Sequence, residues 1–195
     1  AQPLILNPPE KLPACFMNGT RSTVMTDLTF VEPFGTRAFL SALKKMKKHW
    51  EAGLSALDTV TVPADAYTKE KMTAHRTLCR LFLCYIRTAL HMTGFYVLRD
   101  SLHQEAYTPE SVREKFSSMR RIALSELENT KTATALLRSD KSLAFSYTYR
   151  YGISEAMCRF KIHHTERLLE LELPRKFYGI QFAFNQRPYW TGMDF

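Results

Sequence analysis

The chain has 195 residues, of which 45% are hydrophobic and 24% charged, enough apolar material for one ordinary core and too little length for two comfortable ones. That composition excludes a chain disordered throughout, and the scattered cysteines Cys15, Cys79, Cys84 and Cys158, with no Cys-x-x-Cys pair, exclude a disulfide scaffold. Lysine and arginine outnumber acids 27 to 19, a surplus of +8 suited to an acidic partner, an anionic surface or nucleic acid. No run interleaves aromatic and basic residues as a nucleic-acid platform does, so nucleic acid is the disfavoured partner.

Residues 1–35 read as an extended arm. Pro3, Pro8, Pro9, Pro13 and Pro33 lack donors and disfavour helix in the residue before each, with a short strand expected at Thr23–Phe30. Asn18-Gly19-Thr20 has the form of a glycosylation sequon and equally of a turn; the turn is the preferred reading.

The bundle proper is expected over 36–174, as about four long helices in an all-α fold. The first runs from Thr36, read as its cap, to about Thr59. Phe39, Leu43, Met46, Trp50, Leu54 and Leu57 make one stripe, so it packs through Trp50. Lys44, Lys45, Lys47 and Lys48 fall on the other faces, either as a solvated surface or as a docking patch for a partner. A second helix, capped at Thr68, extends to about Gln104, and its middle is apolar all round, as expected at the centre of a bundle. Arg80, Arg87 and His91 interrupt its most apolar stretch. Such charges cost a membrane helix roughly 2.5–3.5 kcal/mol each, so a buried helix in a soluble protein is expected and no transmembrane segment. Gly94 marks a kink or a point of close packing.

Thr108-Pro109-Glu110 is a strong start for the third helix, which runs to about Arg138 with Val112, Phe116, Met119 and Ala123 as its stripe. A loop from Asp140 to Gly152 follows. Ser154 opens a fourth helix, Glu155 to about Leu173, expected to stop at Pro174, with an irregular stripe that includes Lys161. Residues 175–195 form an extended aromatic tail. Ile180, Phe182 and Phe184 alternate with Gln181 and Ala183, and Tyr189, Trp190 and Phe195 follow. So much exposed aromatic surface must lie against this domain or a partner.

Chemistry leaves few marks. The glycines are isolated, Gly-x-Ser-x-Gly does not occur, and His163, His164 and Glu166 lack a third ligand, so they read as surface residues. Glycosidases need two carboxylates roughly 5–10 Å apart; Glu126 and Glu128 point to different sides of a helix, and Glu166 with Glu170 read as surface charge beside Arg167. No catalytic, cofactor or metal residue is assigned.

The run Glu126-Leu127-Glu128-Asn129-Thr130, with Leu136-Leu137-Arg138-Ser139-Asp140-Lys141-Ser142-Leu143, Lys161-Ile162 and Glu172-Leu173-Pro174, resembles the C-terminal helical region of large bacterial glycoside-hydrolase-like proteins of the α-glucuronidase type. The resemblance spans roughly residues 40–177, with Ala144 where the pattern has a turn glycine, and it lacks the catalytic barrel. It implies an accessory bundle, with carbohydrate as its partner; Tyr147, Tyr149 and Tyr151 could then stack on sugar, although core packing is the preferred reading of these tyrosines. The other reading is a non-catalytic structural subunit that binds neighbouring chains through its termini, in an organelle such as a mitochondrion, or else secreted from a bacterium. It is the favoured one. Its partner-binding residues would be Phe182, Phe184, Tyr189, Trp190 and Phe195 in the tail and Lys44, Lys45, Lys47 and Lys48 on the first helix.

Overall fold

A computed structural model describes residues 4, 6, 28, 31, 33–61, 65–104, 108–143, 145–146 and 152–180. Over these residues the fold is the expected all-α bundle. Four helices follow in chain order: α1 (Thr36–Thr59), α2 (Ala66–Gln104), α3 (Pro109–Ser139) and α4 (Glu155–Arg167). Between α3 and α4 lie a single 3-10 turn, Lys141–Leu143, and a minimal antiparallel pair in which Phe145 faces Ile153 and Ser146 faces Gly152. Helix α1 packs on α2, α2 on α3 and α3 on α4.

The caps explain where the helices begin. Thr108 accepts from the Ser111 N–H while the Ser111 hydroxyl accepts from the Thr108 N–H, with Pro109 next, a complete capping box. Ser154 accepts from the Met157 N–H at 3.2 Å and opens α4 as expected. The two other expected caps are displaced. At α1 the cap position is Gly35, whose φ of 73° suits glycine, so Thr36 already lies inside the first turn and makes no cap bond. At α2 the Asp65 carboxylate accepts from the Thr68 N–H at 2.8 Å, so Thr68 is the capped residue and not the cap.

The largest departure is at Pro174. Helix α4 does not stop there: Leu168–Glu172 form a π turn, and residues 173–180 continue as helix. A proline inside an α-helix collides with the carbonyl four residues back and offers it no N–H. Here the turn before it is already widened, with the Leu173 N–H bonding to the Leu168 carbonyl five residues back. The start of the expected extended tail is therefore helical, and Phe177 and Ile180 pack against the core. The tail beyond it, with Phe182, Phe184, Tyr189, Trp190 and Phe195, lies outside the described residues, as do the strand expected at Thr23–Phe30 save Leu28, the Asn18 turn and the loop tyrosines.

Helix α2 is the only described helix long and apolar enough to cross a membrane, but it buries Leu81, Leu83, Cys84, Ile86, Met92, Phe95, Tyr96 and Leu102 inside the bundle. Gly94 causes no break in α2; a Cβ there would meet Ile122 at 3.5 Å, ordinary packing distance. The apolar interior forms two clusters. One joins Met92, Phe95 and Tyr96 of α2, Val112, Phe116, Met119 and Ala123 of α3, and Leu168 and Leu173. Leu4 and Leu6 sit in this cluster too, so the described start of the N-terminal segment belongs to the bundle's own core rather than to an arm reaching away from it. The second cluster joins Leu81 and Cys84 of α2, Ala133 and Leu137 of α3, Cys158 of α4, and Ile153.

Candidate functional site

Between these two clusters lies a layer of polar side chains. Each of three helices places a polar residue where its core stripe should be apolar: Thr88 and His91 on α2, Glu126 and Asn129 on α3, Lys161 on α4. On α4 the sequence Cys158, Lys161, Thr165, Leu168 keeps core spacing of three, four and three, and all four are buried. On α3 the same is true of Met119, Ala123, Glu126, Thr130, Ala133 and Leu137.

Glu126 is the hub, and its side chain is fully enclosed. One carboxylate oxygen, Oε1, accepts from the Lys161 ammonium and from the Thr88 hydroxyl at 2.6 Å. The other, Oε2, lies 2.6 Å from His91 Nδ1 and 3.3 Å from Asn129 Nδ2. The Thr88 oxygen in turn accepts from Lys161 at 3.3 Å and from Asn129 at 3.1 Å. Asn129 also donates to the Cys84 carbonyl at 2.9 Å, which ties the layer to the backbone of α2. One atom is left over, Asn129 Oδ1, buried without a hydrogen-bond partner among the described residues.

Burial by itself would push the Glu126 carboxyl up. The His91 bond, the Lys161 charge and hydrogen bond, and the Thr88 hydroxyl outweigh it and hold the group below the usual carboxylate range. An ionised carboxylate only accepts, so His91 presents Nδ1–H to it. His91 keeps part of its side chain at the surface, so the layer touches solvent through its imidazole. A slide of any of the three helices past the others would strand a buried charge, so the arrangement resists such a slide. Nearby, burial raises the thiol of Cys84 to about 11 and also pushes Cys158 up, so both behave as small apolar residues and not as nucleophiles.

The surface residues proposed from the sequence separate. Lys44, Lys45 and Lys48 are exposed, whereas Lys47 pairs with Glu51 at 3.0 Å. Trp50 anchors α1 as expected, donating from its indole N–H to the Cys79 carbonyl of α2 at 2.8 Å. Arg76 donates to the Leu57 and Val60 carbonyls and so satisfies the end of α1. His164 is spent on the Leu4 carbonyl at 2.9 Å, and among the described residues no group of three or more His, Cys, Asp or Glu could hold a metal ion. Glu126 and Glu128 do point to different sides of α3: Glu128 is exposed and pairs with Lys131 at 2.8 Å.

Among the described residues, two apolar clefts open on the surface. One, of about 440 Å³, lies between α1 and α2 and is lined by Met46, His49, Trp50, Gly53, Leu54, Leu57 and Cys79. The other, of about 370 Å³, runs between the first turns of α3 and the end of the fourth helix, with Phe116, Leu173 and Phe177 at its apolar wall. Neither was foreseen, since a cleft is made by two helices together and leaves no mark in either stripe. Comparison with protein-family models, curated proteins and solved structures finds no match to this chain.

Proposed function

We propose that this chain is a non-catalytic structural subunit that binds neighbouring protein chains across the faces of its helical bundle. The observation that carries this reading is the set of large apolar side chains exposed among the described residues. Phe160 is 65% exposed and Tyr178 67%, while Phe82 and Met46 are each 47% exposed. Several of these are grouped rather than scattered: Phe82 packs on Trp50 in a tilted ring pair at 5.7 Å beside the α1–α2 cleft, and Met157 and Phe160 lie one turn apart on α4. Grouped exposed aromatics are characteristic of surfaces that other proteins cover. The buried titratable cluster supports the same reading, because its groups are engaged with one another and serve helix register.

Binding by helix faces modifies the expectation of binding through the two termini, since Leu4 and Leu6 are already committed to the core. The same observation favours a second reading, the accessory domain of a carbohydrate-active protein, which would fold as a self-contained unit. Purification of the full chain from its native source, with light scattering and lysine crosslinking, tests the first reading. A complex of fixed stoichiometry crosslinked through Lys44, Lys45 or Lys48 is expected. A free monomer overturns the subunit reading, and recovery within a longer polypeptide establishes the second.

A further inference from the structure

The cleft between α3 and the end of the fourth helix differs from the α1–α2 cleft in one respect: its wall is charged. Arg113, Phe116, Ser117 and Arg120 of α3 form one wall, at the spacing of a single helix face. Leu169, Leu173, Pro174, Phe177 and Tyr178 form the other. No acidic residue lines it, and neither arginine has an ion-pair or hydrogen-bond partner among the described residues. The α1–α2 cleft, in contrast, has no lysine or arginine among the described residues that line it. Arg113 and Arg120 are exposed and stand seven residues apart, roughly 10 Å along the helix axis, two turns. The opposite wall is shaped by the π turn and Pro174, which carry Leu169 and Leu173 into the cleft; such turns recur where helices bind something.

We infer that this cleft receives an amphipathic helix of a partner protein, with an apolar stripe seated on Leu169, Phe177 and Tyr178 and acidic side chains two turns apart paired to Arg113 and Arg120. The inference rests on the subunit reading and names its partner's chemistry. A helix laid in a groove presents its side chains at intervals of three, four and seven, so carboxylates seven apart meet arginines seven apart. The charge surplus of +8 favours the same sign of partner.

The test is fluorescence anisotropy on the full chain with two labelled synthetic helices. Both are alanine-based with a leucine stripe; one carries flanking glutamates seven residues apart, the other lysines at the same places. The glutamate helix should bind about tenfold more tightly, the worth of two exposed ion pairs gained against two like-charge contacts. Arg113→Glu with Arg120→Glu should invert the preference, and Ser117→Trp, which fills the cleft from an exposed position, should weaken both helices while circular dichroism stays unchanged. Equal binding of the two helices, no binding of either, or a preference that survives the double reversal overturns the inference. So does a preference abolished by Lys45→Glu with Lys48→Glu on α1. Those results leave the subunit reading standing, because that reading falls only on the native purification.

Discussion

Two sets of ion pairs, chemically alike, do different work in this bundle. On the flank between α1 and α2, Arg87 reaches Glu51 at 2.9 Å and Arg80 reaches Asp58 at 3.0 Å, with roughly a third to a half of each side chain exposed. In the layer between the two apolar clusters, Lys161 meets Glu126 with almost no exposure on either side. Water screens the first set, so these bonds tune how α1 lies on α2 without holding it there. The second set is cut off from water and cannot be broken singly without leaving a charge in an apolar interior. Distance alone does not separate the two; the surroundings do.

Replacing one member of the buried pair should break the comparison most visibly. Glu126→Ala strands the Lys161 ammonium and is expected to cost about 3–5 kcal/mol in urea denaturation. The double replacement Glu126→Leu with Lys161→Met should recover a large part of that loss, because both charges go and the volume stays. If the double variant is as unstable as the single one, the layer contributes through its wider hydrogen bonds and not through the pair.

Acid should sharpen the same contrast. The folded Glu126 carboxyl lies below its ordinary range, so its contribution to stability is present above the ordinary carboxylate value of the unfolded chain and is lost as pH falls through the lower folded value. Glu51 is held low as well, by the Arg87 and Lys47 bonds, but it is largely solvated and contributes little there. Thermal melts from neutral pH downward should show a steep loss below the ordinary carboxylate range in the parent chain. That loss should be shallower once Glu126 and Lys161 are both replaced; an unchanged profile would place the acid sensitivity elsewhere.

The smallest effect belongs to the flank. Asp58→Ala removes the partner of Arg80 and the 3.7 Å neighbour of Arg76, and is expected to cost under about 1 kcal/mol, and less in high salt. A larger loss would show that Arg76, whose Nε is buried without a hydrogen-bond partner among the described residues, depends on the Asp58 charge and that the flank is less screened than its exposure indicates.

What could be read from the sequence were the features that neighbours along the chain determine. The four helices, the caps at Thr108 and Ser154, the packing of Trp50 and the central position of α2 all follow from periodicity and from which backbone donors a side chain can reach. Local signals failed where two local rules compete. Gly35 and Asp65 took cap positions from neighbouring threonines, and Pro174 was absorbed by a widened turn that no residue announces.

The polar layer was partly visible. Lys161 and His91 interrupt otherwise apolar patterns, whereas Glu126 gives no sign in the sequence, since the stripe read on α3 runs through Val112, Phe116, Met119 and Ala123 without it. One helix taken alone cannot distinguish a buried charge from an irregular stripe. Only the tertiary structure brings α2, α3 and α4 to a common level and makes the three residues one another's partners. The clefts have the same origin, being shapes between helices. A side chain's periodicity reports which face it occupies, whereas its energy depends on what the facing helix puts opposite it, and that is decided when the chain packs.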